Sequence, residues 1–252
     1  MDLKDKTKKR RLARRIIVAM VGVLAAVLTL LYVQANREPG LYHPARLQGP
    51  QREESAVAFY NRLADFHNHA VDTKPFEWTI SQQEIDAYVA SLDEIVAMFP
   101  NQQPGQVREA MAEAQVRDPA VGLGDGQITL MIRWDPVGAV LSARLKLQPV
   151  ADGRLKVKLE RVRLGRLAVP QALVHSQLRS VAYDLENAPL DENGSGVMAL
   201  ASGASQLGQS LLRAAMEDEP VDPVIRVQGR RWRIHDVRID PQQIVLSLQP
   251  IP

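Results

Sequence analysis

The stretch "IIVAMVGVLAAVLTLLYV", residues 16–33, restricts this chain more than any other. It runs for eighteen residues without a charge, and Gly22 is its only strong helix breaker. A helix made from it is apolar on every face, so no polar stripe is left to meet water, and it fits a buried core helix poorly. At 1.5 Å per residue it spans about 27 Å, close to the roughly 30 Å hydrocarbon core of a bilayer. Lys4, Lys6, Lys8, Lys9, Arg10, Arg11, Arg14 and Arg15 precede it against Asp2 and Asp5 only, and Tyr32 sits where an interfacial aromatic belongs. The positive charge on the N-terminal side orients such a segment, so a single-pass anchor with a cytoplasmic N-terminus and an extracytoplasmic body (residues 34–252) is expected. The rival reading is a cleavable signal peptide, because Val33-Gln34-Ala35 has the spacing a signal peptidase accepts. An apolar run of eighteen is longer than the usual h-region, which favours a retained anchor. Either reading puts the body outside the cytoplasm, at the inner membrane or in a periplasm-like space.

Composition then limits what the body can do. The basic tail, residues 1–15, carries a local charge of +6, so the other 237 residues stand at −4 within the chain's total of +2. A mildly acidic body with three Trp, five Tyr and four Phe is a poor nucleic-acid binder. The chain has no cysteine, which excludes disulfides, thiol catalysis and Cys-ligated zinc. Its 252 residues, 46% of them hydrophobic, suffice for one medium domain beyond the anchor.

Residues 34–53 hold three prolines and two glycines and read as a linker, which leaves 54–252 as the extracytoplasmic domain. From Ser55 the period becomes helical, with Ala56, Phe59, Leu63, Phe66 and Ala70 on one stripe. The pair His67 and His69 between Asp65 and Asp72 resembles the His-x-His metal element of the amidohydrolases in spelling. On a helix, however, the two rings stand about 160° apart and cannot share an ion. "FEWTISQQEIDAYVASLDEIVAMFP" predicts a strand over 76–80, a capping box of Ser81 and Glu84, and a helix running to Pro100. The cap occupies Glu84, and Asp86, Asp93 and Glu94 read as solvent-facing rather than as catalytic carboxylates.

After a short helix around 107–114 the period falls to two. Asp125-Gly126 is a turn signal ahead of Ile128, Leu130 and Ile132, and "VLSARLKLQP" and "RLKVKLERVRL" alternate in the same way. The apolar phase slips by one residue at Glu160–Arg161, and again at His235–Asp236 in a later strand, which predicts two β-bulges. An amphipathic helix is expected over 170–185, with Val174, Leu178, Val181 and Leu185 on its buried side. A Gly/Ala/Ser-rich segment at 187–205 and a helix near 206–216 follow, and strands are expected at 224–227, 231–239 and 244–248. The fold class expected is therefore α+β: an N-terminal transmembrane helix, then a curved antiparallel sheet packed by two to four amphipathic helices.

Three stretches, "WTISQQEIDAYVASL", "GLGDGQITLMIRW" and "LGRLAVPQALV", resemble the YpmS-type family of uncharacterised bacterial membrane-anchored proteins. More distantly they resemble extracytoplasmic lipid-binding domains with a tubular, curved-sheet fold. The resemblance implies membrane tethering and lipid handling, and it supplies no catalytic residue. On this reading a bent sheet would leave an apolar groove lined by Leu141, Leu145, Leu147, Leu155, Val157 and Leu159, able to hold or transfer a lipid. Packing alone also explains those residues, as a dry core beneath helices. The alternative function is a non-enzymatic envelope scaffold that docks a protein partner on the charged face bearing Arg144, Lys146, Lys156 and Lys158, where a solvated face is the plain reading. No G-x-S-x-G, HExxH, SxxK or phosphate-binding glycine loop occurs, so neither an enzyme nor a cofactor is expected.

Overall fold

The computed structural model describes residues 25–27, 29–72, 74–99, 102–150, 153–170, 219–227 and 229–251. The helices expected at 170–185 and 206–216, and the segment 187–205, lie outside these residues. So do the basic tail and the first half of the expected anchor. Within them the chain is α+β with two antiparallel sheets and a few helices. Residues 25–27 and 29–35 are helical, and Val27, Leu30, Leu31, Tyr32 and Val33 are exposed along them. Among the described residues no helix is long and apolar enough to cross a membrane.

The first long helix, α1 (Gly49–Val71), starts earlier than its apolar stripe because Pro50 occupies the first turn and Gln48 and Gln51 form a capping box. The expected stripe is its buried side: Ala56, Leu63, Phe66 and Ala70 are buried. His67 and His69 flank Phe66 on this helix, and the His69 ring nitrogen lies 2.8 Å from the carbonyl of Asp65. Among the described residues no three His, Cys, Asp or Glu side chains form a group that could hold a metal ion.

Strand β1 (Phe76–Ser81) leads into α2 (Gln82–Ala90) through the expected capping box. The Ser81 hydroxyl accepts from the Glu84 N–H at 3.1 Å, and the Glu84 carboxylate accepts from the Ser81 N–H at 2.8 Å. The helix expected to reach Pro100 instead breaks at Ser91, whose backbone leaves helical geometry, and resumes as α3 (Leu92–Ala97). The break lets Tyr88 and Ile95 both pack with Ala56 of α1. Burial pushes the Glu84 carboxyl up, but the Ser81 N–H and hydroxyl, with Arg62, outweigh it and hold the group below its ordinary value. A depressed carboxyl adds stability that is present above its unfolded pKa and is lost as pH falls through the folded one. Ser81→Ala should therefore cost about 1 kcal/mol at pH 7, measured by urea unfolding. That cost should shrink below about pH 4, and an equal cost at pH 7 and pH 3 would remove the carboxylate from the cap.

Beyond α4 (Gln106–Glu113), one five-stranded sheet has the order β2-β3-β4-β5-β6, from β2 (Val116–Gly124), β3 (Gln127–Trp134), β4 (Ala139–Pro149), β5 (Leu155–Leu164) and β6 (Leu167–Ala168). The second sheet has the order β1-β9-β8-β7, with β7 (Val224–Val227), β8 (Arg230–Asp240) and β9 (Gln243–Ile251). The single sheet expected from the sequence is thus two, because β1 pairs with the C-terminal β9 and not with the meander. Both bulges stand where the phase slips. Glu160 is the extra residue between the pairs Arg144–Arg161 and Leu145–Leu159, and His235 the extra residue between Ile234–Leu248 and Asp236–Ser247. The strand β2 was not expected: Pro119 lies within it and Asp118 has a φ of 51°, so its alternation is interrupted.

Gln82 ties the two sheets together. Its N–H donates to the Gln242 carbonyl at 2.6 Å in the β8–β9 turn, while its side-chain amide donates to the Val121 carbonyl and accepts from the Leu123 N–H on the free edge of β2. The main core lies between α1 and the second sheet: Leu63, Phe66 and Ala70 meet Val227, Trp232, Ile234 and Leu248. Phe66, Phe76, Trp78 and Trp232 stack edge-to-face there, with centroids 5.2–5.4 Å apart.

Candidate functional site

The five-stranded sheet has two unlike faces, and the register fixes which residues each one carries. In β4, Leu141, Leu145 and Leu147 share a face, and the cross-strand pairs Leu145–Leu159 and Leu147–Val157 put Leu155, Val157 and Leu159 of β5 on that same face. All six residues expected to line a groove are therefore brought together. Leu155 and Val157 are buried, Leu145, Leu147 and Leu159 are half-buried, and Leu141 is exposed. Ile132 pairs with Leu141, and towards that end Leu130, Trp134 and Leu141 remain 44%, 39% and 36% exposed.

The opposite face carries the charge. Arg144 of β4 is the direct cross-strand partner of Arg161, Lys146 that of Lys158, and Ser142 that of Arg163. These pairings follow from the bulge, which shifts Arg161 and Arg163 onto the face of Lys158. Four of the cations, Arg144, Arg161, Arg163 and Arg166, converge on a cavity of about 570 Å³, completed by the Thr129 and Ser142 side chains, Met131, and residues 39–41. Thr129 and Ser142 are buried. Among the described residues no acidic side chain lines this cavity, and none of its four guanidinium groups makes a hydrogen bond or an ion pair. Burial pushes the Arg163 guanidinium below its ordinary value, and Arg161 and Arg144 add to that push. By contrast Arg133, one strand away, is paired with Glu38 and lies over the Tyr42 ring.

The chain that leaves the apolar helix forms one wall. The segment expected as a linker is partly packed structure: Ala35 is 6% and Tyr42 4% exposed, and Tyr42 joins Ala120, Met131 and Val140 in a small core on the charged face. The Tyr42 hydroxyl donates to the Asp118 carbonyl at 2.9 Å. At the β5–β6 turn, Gly165 has a φ of 57°, its N–H donates to the Val140 carbonyl, and the Arg166 N–H donates to the Gln34 carbonyl at 3.0 Å. A Cβ on Gly165 would lie 1.9 Å from the Ala35 carbonyl oxygen, so only glycine lets the end of the helix approach this turn.

The sequence singles out Arg144, Lys146, Lys156 and Lys158, but not Arg161, Arg163 or Arg166. A signal was present in the phase slip at Glu160, since carrying it through the strand puts Arg161 and Arg163 opposite Arg144 and Ser142. The contribution of residues 39–41 has no local signal, because it depends on contacts with strands that lie 80 or more positions further along the chain. Comparison with protein-family models, curated proteins and solved structures finds no match to this chain.

Proposed function

We propose that this chain is a single-pass membrane protein whose α+β body lies outside the cytoplasm and binds lipid at the bilayer surface without catalysing a reaction. The observation that carries this reading is the lock between Gln34–Ala35 and the β5–β6 turn. It joins the body to the end of an apolar helix with exposed Leu and Val side chains, where a flexible tether would have allowed free swinging. The basic tail before residue 16, the apolar length of 16–33 and the resemblance to membrane-tethered lipid-binding domains support the same reading. So does the sheet's apolar face, with Leu141, Leu145, Leu147 and Leu159 not fully buried.

Topology and lipid content test this separately. The chain has no native cysteine, so a single cysteine reports its own position. Asp125→Cys, in the exposed β2–β3 turn, should react with a membrane-impermeant maleimide in intact spheroplasts, and Thr7→Cys only after lysis. The reverse pattern would overturn the orientation. Organic extracts of the purified full chain should then contain lipid at roughly one molecule per chain or more, and lipid-free protein would overturn the binding role.

A second reading is favoured by Leu130, Trp134 and Leu141, which cluster exposed on the apolar face: a scaffold that docks another envelope protein there. Leu130→Asp together with Leu141→Asp would release such a partner from in-cell cross-links while leaving extracted lipid unchanged.

A further inference from the structure

The cations on the charged face are arranged against the interest of folding alone. Like charges placed directly opposite on neighbouring antiparallel strands repel. Here two such pairs follow one another, Arg144–Arg161 and Lys146–Lys158, in a body whose net charge is negative. Solvated surface lysines could tolerate this by spreading apart. The arginines instead border one concave space lined also by the buried Thr129 and Ser142, with Arg144 and Arg163 half-buried in it and Arg161 and Arg166 exposed at its rim. A cavity of that size fits a headgroup and not only an ion. Guanidinium groups pair in bidentate fashion with the oxygens of phosphate, and the Thr129 and Ser142 hydroxyls can donate to the same oxygens.

We propose that this cavity binds the phosphate group of an anionic membrane lipid, with Arg144, Arg161, Arg163 and Arg166 as its donors. The choice of a lipid source follows from place. One wall of the cavity is Pro39-Gly40-Leu41, a few residues beyond the end of the apolar helix, and Arg166 is bonded through its backbone to Gln34. If the helix end lies at the bilayer surface, the cavity opens at the level of the headgroups. The proposal thus rests on the membrane-anchored reading above, and adds the class of ligand and the residues that hold it. The bound phosphate would neutralise the repulsion that the empty site carries, so this site should trade stability for binding.

That trade gives the test its sign. In the full chain purified in neutral detergent without added anions, Arg161→Gln should raise the melting temperature by about 1–3 °C, because it removes one member of a like-charged pair. A structural role for Arg161 would lower it, and a fall would overturn the proposal. In mixed micelles of phosphatidylglycerol and phosphatidylcholine, native mass spectrometry should find wild type retaining the anionic lipid about tenfold over the zwitterionic one. The double variant R161Q/R163Q, folded by circular dichroism, should retain the two about equally.

Retention that survives the double variant would overturn the proposal, as would no preference in wild type. Inorganic phosphate supplies the other arm. A melting temperature raised by phosphate in wild type alone, with no lipid preference, would overturn the lipid source and assign the site to a free phosphate ester. Loss of a cross-linked acidic protein in R161Q/R163Q, with lipid retention unchanged, would replace the lipid by a protein ligand. Asp125→Cys labelling is independent of all these arms. If it places the body outside and the arms fail, only the cavity's ligand is wrong; if it fails too, the membrane reading falls with it.

Discussion

Trp232→Ala should destabilise the body by about 3–5 kcal/mol, the largest loss expected from any single truncation here. Trp232 has 0% exposure and sits where β8 meets α1, with its ring 5.2 Å from Phe76 and within the cluster of Phe66, Leu63, Val227 and Leu248. Removing the indole leaves a cavity that the aromatic neighbours on strand β1 and helix α1 cannot collapse to fill. For a domain of this size the melting temperature should fall by about 6–20 °C, and a marginally stable body would not survive the change. The conservative variant separates volume from polarity. The Trp232 Nε1 is buried and has no hydrogen-bond partner among the described residues, so Trp232→Phe loses some ring volume but also removes an unpaired N–H, whose burial costs about 1–3 kcal/mol. Trp232→Phe should therefore stay within about 1 kcal/mol of wild type. A loss as large as that of alanine would show that the Nε1 group is bonded in solution.

Gly165→Ala should separate the body from the end of the apolar helix. At a φ of 57° any Cβ costs about 1–2 kcal/mol, and this one would also meet the Ala35 carbonyl oxygen at 1.9 Å and the Gln34 oxygen at 2.8 Å. Those atoms belong to backbone and cannot rotate away, so the helix end must leave the turn, and the Arg166–Gln34 hydrogen bond goes with it. The core around Trp232 is elsewhere in the molecule and should persist. Limited trypsin digestion reads the difference at Arg37, which is exposed just past the contact. Cleavage there should become about tenfold faster than in wild type, while the melting of the body changes by only a few degrees. Unchanged cleavage would mean that the contact carries little energy.

What the sequence made legible was local. The Ser81–Glu84 capping box, the α1 stripe through Phe66 and the strand at 224–227 all depend on residues within one or two turns of each other, and each is found as expected. Both bulges were readable because a slipped phase can only be absorbed by an extra residue in a paired strand. Long-range partners were not readable. Nothing near Phe76 says that its strand pairs with Leu248, 172 positions later, and this pairing is what divides the fold into two sheets. Pro119 and the left-handed Asp118 concealed β2, since alternation is the signal by which a strand is recognised and both interrupt it. The six leucine and valine positions of the expected groove do share a face. The cationic cavity on the other face needed the Glu160 bulge and the docked residues 39–41 together, and only the first of these leaves a trace in the sequence.

The decisive measurement places the β5–β6 turn relative to the bilayer. Ala168→Cys, exposed on β6 beside this turn, would be labelled with a small fluorophore in the full chain in nanodiscs that contain lipids with a nitroxide on the headgroup. Strong quenching is expected in the otherwise wild-type chain, with recovery when Gly165→Ala is added. Emission as bright as in nitroxide-free discs, or quenching that Gly165→Ala leaves untouched, would contradict a body clamped at the membrane surface with its arginine-lined cavity among the headgroups.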